Sequence, residues 1–350
     1  MAQALALATQ AVALTEPNPR VGCVITDAGG RVLGQGHTQQ AGGPHAEVMA
    51  LRDAAARGED VTGATAYVTL EPCSHHGRTP PCCDALVAAG LARVVAAIED
   101  PNVLVAGRGF ARLHAGGDAS RELNVGFFSR MQRGRPWVRL KAAVSLDGRS
   151  ALDNGVSQWI TSADARADGH AWRRRAGAVL TGIGTVRDDN PRLDVRLVDT
   201  PRQPLRVVVD SLLALPTTAR LLDPPGSVLV YAAQADPGRA AALRDRGAEV
   251  VDAPGADGRV DLPAVLRDLG ARGINELHVE AGRTLSGAFA AARLVDEYLV
   301  YVAPTLLGQG RGLAQFGPLE RLDDAVALQF HDVQRVGPDL RVLARPVPPT

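Results

Sequence analysis

At 350 residues the chain exceeds what one hydrophobic core usually holds, so two domains are expected. Its 46% hydrophobic, 22% charged and 4% aromatic content suits a packed α/β protein and is far from disordered compositions. Thirty-eight Lys and Arg balance 38 Asp and Glu, which favours a small ligand over nucleic acid, and apolar runs such as Leu205–Val209 are strand-sized, too short for a bilayer-spanning helix.

In chain order, the Ala- and Leu-rich stretch Met1–Leu14 predicts an amphipathic first helix. It lacks the basic start and cleavage pattern of a secretory signal, so a cytoplasmic location is expected. Short β-prone runs follow at Val21–Ile25 and Ala64–Leu70, separated by the helix-favouring Ala46–Arg57. Cys83–Gly90 predicts a helix closed by glycine, and Arg93–Ile98 a buried strand. The alternation predicts a sheet layered with helices. The basic string Arg130–Pro136 breaks the pattern with a Gly and a Pro, and a new strand begins at Trp137, so the expected domains are 1–133 and 136–350. In the second, strands are predicted at Val138–Val144, Ala178–Thr181, Leu205–Val209, Val228–Tyr231, Glu276–Val279 and Glu297–Val302. Helices are predicted at Ala163–Arg175, Leu262–Arg272 and Thr284–Ala292.

The four cysteines, Cys23, Cys73, Cys82 and Cys83, all fall in the first quarter of the chain, which suits a metal or catalysis better than a disulfide framework. His45-Ala46-Glu47 opens a predicted helix, Glu71-Pro72-Cys73 ends a strand, and Cys82 follows after eight intervening residues. His45, Cys73 and Cys82 make a three-ligand set for a catalytic Zn2+, leaving the fourth tetrahedral position to a water whose pKa falls to about 7. Glu47 is then the carboxylate beside the metal that takes the water's proton and delivers it to a ring nitrogen and the departing amine. The His-x-Glu plus Pro-Cys arrangement marks nucleobase deaminases, although their usual Cys-x-x-Cys is here a long loop. A helix-capping His45 and small buried cysteines would account for each residue singly, but not for the set. Cys23 is assigned to the core, and Cys83, beside a ligand on a helix, is left off the metal.

The second half carries Ser145-Leu146-Asp147-Gly148-Arg149, Ser157-Gln158-Trp159-Ile160-Thr161, Thr181-Gly182-Ile183-Gly184-Thr185-Val186 and Glu280-Ala281-Gly282-Arg283-Thr284-Leu285. Gly282 lies between a strand and a helix, where it lets backbone N–H groups approach an anionic phosphate. Turn-only glycines are the alternative, and no Gly-x-Gly-x-x-Gly fingerprint is present.

Pro17-Asn18-Pro19-Arg20-Val21-Gly22-Cys23-Val24, His45-Ala46-Glu47 and the long string Glu71–Cys82 resemble the deaminase domain of the bifunctional riboflavin-biosynthesis family RibD, in which the long cysteine spacing is found. The second set of strings resembles that family's reductase domain. The resemblance implies a three-layer, cytidine-deaminase-like N-terminal domain and a dihydrofolate-reductase-like C-terminal domain that uses NADPH. For NADPH it implies Ala143, Trp159, Thr185, Asp189, Ser211 and the segment Gly282, Arg283, Thr284, Leu285, Ser286, Gly287 and Ala288. For substrate it implies Ser157, Arg173, Leu193, Arg196 and Glu280 in the reductase, and Asn18 with the His75–Thr79 loop in the deaminase. Guanidinium groups suit a substrate 5′-phosphate, which they grip bidentately. Arg174 and Arg175 are expected on a solvated helix face. Lys141 and Glu280 are the candidate proton donors, Lys141 being taken as catalytic.

The function implied is two steps on a pyrimidine ribosyl phosphate. Hydrolytic deamination of 2,5-diamino-6-ribosylamino-4(3H)-pyrimidinone 5′-phosphate is followed by NADPH-dependent reduction of ribosyl to ribityl. No nucleic-acid or membrane partner is expected, and a homo-oligomer is compatible with the sequence. Gly117–Leu123 is shorter than the family's usual segment. The rival readings are a stand-alone nucleoside or tRNA-type deaminase with an unrelated C-terminal module, and an inert zinc-stabilised binding protein.

Overall fold

Close approaches of backbone to backbone decide how the first 135 residues are layered. Strand β1 (Gly22–Thr26) pairs antiparallel with β2 (Val32–His37) and β3 (Thr65–Val68), and β3 pairs parallel with β4 (Arg93–Ala96), giving the order β2-β1-β3-β4. Gly36 lies opposite Cys23 and Gly34 opposite Ile25, so these positions share one face, while Gly22 and His37 share the other. A Cβ on Gly22 would strike the backbone of Ala4 in α1 (Ala2–Gln10), whereas Cβ atoms on Gly34 and Gly36 would strike Ala50 and Met49 in α2 (Ala46–Ala56). The two helices therefore cover opposite faces, the three-layer arrangement expected. With α3 (Cys82–Ala88) and α4 (Val125–Arg133), the core gathers Cys23, Ile25, Val68, Ala50, Leu86, Phe127 and Phe128.

The structure is a computed structural model that describes residues 1–73, 81–101 and 121–347, and it divides into two units, Met1–Arg135 and Pro136–Thr350. The predicted His75–Thr79 pocket loop and residues 117–120 of the shortened segment lie outside the described residues. Three local expectations are corrected. The first helix stops at Gln10 rather than Leu14, and Ala13 beyond it takes a left-handed φ of 68° that no α-helix accommodates. Arg130–Arg133 is helical because Phe127, Phe128 and Met131 anchor α4 in the core, and the break falls at Gly134, with φ 66°. Strand β2, Val-Leu-Gly-Gln-Gly-His, was not anticipated, since its glycines mask the pattern yet are what lets α2 approach.

In the second unit, β5 (Trp137–Ser145) is followed by β6 (Arg149–Leu152), α5 (Ala163–Arg175), β7 (Ala178–Gly182), α6 (Ile183–Asp189), β8 (Leu205–Val209) and β9 (Val228–Ala232). Then come α7 (Pro237–Asp245), β10 (Ala248–Asp252), α8 (Leu262–Ala271), β11 (Glu276–Glu280), α9 (Arg283–Ala291) and β12 (Glu297–Ala303). Seven of these strands are parallel in the order β10-β9-β8-β7-β11-β5-β12, and a C-terminal hairpin, β14 (Leu328–Val336) with β15 (Asp339–Pro346), continues the sheet antiparallel from β12. Strand β13 (Gly310–Gly312) pairs with β6 in a separate ribbon. The chain steps outward from β7 to β10 and returns to insert β11 beside β7. Such reversals open a crevice at the carboxyl ends of the strands, where ligands of open α/β sheets bind.

Strand alternation divides the central sheet by polarity. Leu277 and Val279 of β11, with Val138 and Leu140 of β5, enter an apolar core containing Val265, Leu266 and Leu269 of α8 and Phe289 of α9. Glu276, His278 and Glu280, with Arg139 and Lys141 alongside in register, point to the opposite face. There Arg139 is paired with both Glu276 (2.9 Å) and Glu297 (2.5 Å), all three side chains being buried, and its guanidinium lies 4.4 Å from the ring of Trp172 in α5. Arg175 joins this network at 2.8 Å from Glu276, which corrects its expected place on a solvated helix face.

Candidate active sites

In the first unit, His45 is the N-cap residue of α2, and the helix places Glu47 in its first turn. Cys73 follows β3, and Cys82 opens α3. His45 Nδ1 lies 3.6 Å from Cys73 Sγ and 3.3 Å from Cys82 Sγ, and the ligand atoms of the three residues all fall within 4.8 Å of one another. Nδ1 is therefore the nitrogen facing the centre. The Cys82 N–H donates to Cys73 Sγ at 3.3 Å. The Cys82 thiol first, then His45 and that backbone bond, pull the Cys73 thiol down to about 4 against burial, while Cys82 is pushed up by Cys73 and by burial. A cation held here binds the thiolate form of each cysteine and so releases their protons. One imidazole and two sulfurs at this spacing fit Zn2+.

Glu47 is 3% exposed, and burial raises its carboxyl above the usual carboxylate range. Cys23 is fully buried in the core, as expected, and the Cys83 thiol donates to the Pro72 carbonyl at 3.5 Å, turned away from the cluster. Asn18 sits half-buried in the turn before β1, where its backbone N–H donates to the Thr15 carbonyl at 2.8 Å.

The second cluster lies at the carboxyl end of β11. Arg173 of α5 grips Glu280 through Nε and Nη2, the latter at 2.9 Å, while Lys141 Nζ stands 3.9 Å and His278 Nε2 3.3 Å from the same carboxylate. Burial alone would raise Glu280, but Arg173 and then Lys141 outweigh it and hold the carboxyl well below its ordinary range. Burial lowers Lys141. Of the two candidate proton donors, Glu280 is thus held ionised, while burial makes Lys141 release its proton more readily than an ordinary lysine.

Around this centre, Ser157 Oγ donates to Asp189 Oδ1 at 3.1 Å, and Gly282 N–H donates to Thr185 Oγ1 at 3.0 Å, joining the segments after β7 and β11. Gly282 caps α9, whose first turn through Thr284 is exposed, whereas Ser286 and Gly287 are buried. A Cβ on Gly287 would meet the Gln315 carbonyl, so that residue packs inward. Leu285 and Ala288 are half-buried. Ser211 follows β8 and accepts the Val260 N–H at 3.2 Å. Ala143 lies beyond Lys141 on the same face of β5, and Trp159 is 66% exposed beneath the Arg166 guanidinium. Leu193 is buried, and Arg196 pairs with Asp194 at 2.6 Å. Sequence reasoning missed His278, His170, Arg192 and Asp194. Only His278 left a signal, the period-2 alternation Glu276, His278, Glu280 within a β-prone run.

The fold and the His45, Cys73, Cys82 and Glu47 cluster define a zinc-type nucleobase deaminase unit joined to an α/β unit with a nucleotide-type crevice. Residues 1–98 match the family described as the cytidine and deoxycytidylate deaminase zinc-binding region, and residues 136–342 match the RibD C-terminal domain. The chain is 46% identical to the riboflavin biosynthesis protein RibD of Escherichia coli, covering 97% of this chain and 96% of the relative. It is 38% identical to the protein of the same description from Aquifex aeolicus, covering 97% and 96%. Acinetobacter baumannii RibD superposes with a TM-score of 0.88 at 40% identity, covering 99% and 97% of the two chains. A Thermotoga maritima diaminohydroxyphosphoribosylaminopyrimidine deaminase/5-amino-6-(5-phosphoribosylamino)uracil reductase superposes at 0.86 with 32% identity, covering 99% and 97%. The chain belongs to the RibD family and is a bifunctional riboflavin biosynthesis enzyme with deaminase and reductase activities. An unrelated C-terminal module, and an inert binding protein, are thereby set aside. Among the described residues no helix is long and apolar enough to cross a membrane.

Proposed function

We propose that the first unit deaminates 2,5-diamino-6-ribosylamino-4(3H)-pyrimidinone 5′-phosphate and the second reduces the ribosyl group of the product to ribityl with NADPH, both in the cytoplasm. The observation that carries the first step is the convergence of His45 Nδ1, Cys73 Sγ and Cys82 Sγ within 4.8 Å, beside the buried Glu47. His45, Cys73 and Cys82 would hold Zn2+, which would supply activation of a water near neutral pH. Glu47 accepts one proton of the attacking water and passes it to the ring nitrogen, then takes the second from the hydroxyl of the tetrahedral adduct and passes it to the leaving amine as ammonia departs, a role that its raised affinity for a proton suits. Asn18, in the turn leading into β1, contacts the substrate.

In the second unit, Gly282 and the exposed first turn of α9 receive the phosphates of NADPH, where the helix presents N–H groups without intrahelical partners. Ala143, Trp159, Thr185, Asp189 and Ser211 complete that site, and the buried Ser286 and Gly287 support it from within. NADPH supplies the hydride when bound. Ser157, Leu193, Arg196 and Glu280 orient the substrate, Arg173 fixing Glu280 as an anion. Lys141 gives a proton to the sugar ring oxygen as its bond to the anomeric carbon breaks. Ammonia release from the diamino substrate, followed by oxidation of NADPH on the deaminated product, tests both halves. A folded, zinc-loaded chain that releases no ammonia refutes the first, and one that leaves NADPH unoxidised refutes the second.

A further inference from the structure

The loop leaving α6 carries two arginines on one carboxylate. Asp194 is 5% exposed, accepts Arg192 Nε at 2.9 Å on one oxygen and Arg196 Nη1 at 2.6 Å on the other, and is held ionised by these two bonds against the effect of burial. The arginine side chains themselves are 38% and 44% exposed. Each guanidinium has five N–H donors and commits a single nitrogen to Asp194, and both side chains reach solvent in part, so each keeps donors for a ligand.

The loop's backbone is held from several sides. Arg173 Nη1 donates to the Asp194 carbonyl at 2.9 Å, the Gln203 amide both accepts from Val195 N–H (2.7 Å) and donates to the Val195 carbonyl (2.8 Å), and the Arg196 N–H donates to His170 Nδ1 at 3.2 Å. Leu193 buries its side chain while its backbone takes a φ of 53°, a conformation that a leucine keeps only where its surroundings impose it. Arg173 thereby ties the loop to Glu280, the carboxylate at the centre of the reductase site, and has both of its remaining contacts on that carboxylate. Two guanidiniums against one carboxylate leave a net positive charge beside the reacting groups.

We infer that Asp194 is a positioning residue that sets Arg192 and Arg196 as a paired clasp for the phosphate of the reductase substrate, Arg192 being a further phosphate-contacting residue. The inference rests on the reductase reading above and deepens it. A pair of forks locked before the ligand arrives does not have to be ordered on binding, which is where such a clasp gains affinity. Its geometry matches the bidentate oxygens of a phosphate rather than a neutral hydroxymethyl group.

The test compares the deaminated substrate with its dephosphorylated form in the NADPH oxidation assay. Asp194→Asn, close in shape to the native residue, is expected to raise KM for the phosphorylated substrate about tenfold, the scale of one charge-assisted hydrogen bond. It should leave kcat within about twofold, the KM for NADPH unmoved, and the dephosphorylated substrate unaffected. Arg192→Ala should act in the same way, with Arg192→Lys partly restoring affinity. In an Arg192→Ala, Arg196→Ala background, Asp194→Asn should add nothing. Equal losses on both substrates, or additive losses in that background, overturn the inference and mark Asp194 as merely structural. If the native chain oxidises no NADPH with either substrate, the reductase reading fails, and the clasp is judged by calorimetry with inorganic phosphate. Binding that weakens about tenfold in Asp194→Asn supports it; no binding, or equal binding, overturns it.

Discussion

Two glutamates, one in each unit, are both largely shielded from solvent and meet opposite fates. Glu47 lies among two thiols and an imidazole with no Lys or Arg ion pair among the described residues, so burial prevails and its carboxyl holds a proton more tightly than usual. Glu280 is a little more open, its side chain 15% exposed, and there Arg173 and Lys141 outweigh the effect of burial and keep it an anion. Burial by itself therefore assigns no role to a carboxylate. The cations that the fold places beside it decide whether its affinity for a proton rises or falls.

The comparison breaks most visibly if the metal is taken away. Chelation should abolish ammonia release while NADPH oxidation on the deaminated intermediate persists, because the cysteines and His45 all belong to the first unit. Loss of both activities together would mean that the halves are not independent. Next, Glu47→Gln should cut deamination by about 10²- to 10⁴-fold, the usual worth of a positioned proton carrier, with zinc content measured by elemental analysis unchanged. Deamination within tenfold of native would show that Glu47 is not the carrier.

On the other side, Arg173→Met removes the principal counter-charge of Glu280 and should cost about 3 kcal/mol of the second unit's stability in urea unfolding, as an uncompensated buried charge does. A cost below about 1 kcal/mol would put Lys141, not Arg173, in charge of that carboxylate. The smallest effect concerns His170, whose imidazole is held down to about 4 by burial first and then by Arg173 and Arg196, against 6.5 ordinarily. The unfolded chain takes up this proton below about 6.5 while the native one does not, so stability is complete above that pH and declines as pH falls toward 4. Between pH 7 and pH 5 the decline attributable to His170 should be about 2 kcal/mol. His170→Asn should flatten that part of the slope, and an unchanged slope would remove His170 from the account.

The zinc set and Glu47 were legible in the sequence because metal chemistry is written in residue types over short spans. Imidazole, thiolate and a carboxylate two residues on have few other uses in combination, and the helix begun at His45 needs no distant partner to place Glu47. The alternation of strands and helices was legible for the same local reason, while β2 and the exposed β14 were not, since glycines in one and polar surface in the other hide the pattern. The reductase contacts entered through resemblance, and what the tertiary structure added was charge. Arg173 and Glu280 stand 107 residues apart, and the sheet order that inserts β11 between β7 and β5 is what sets them together. Arg175, whose sequence surroundings suggest a solvated helix face, is drawn into the Glu276 network by that same arrangement. The sequence by itself determined which atoms could hold a metal; only the packed fold decided which carboxylate has its affinity for a proton raised and which has it lowered, because electrostatic neighbours are chosen by the fold rather than by spacing along the chain.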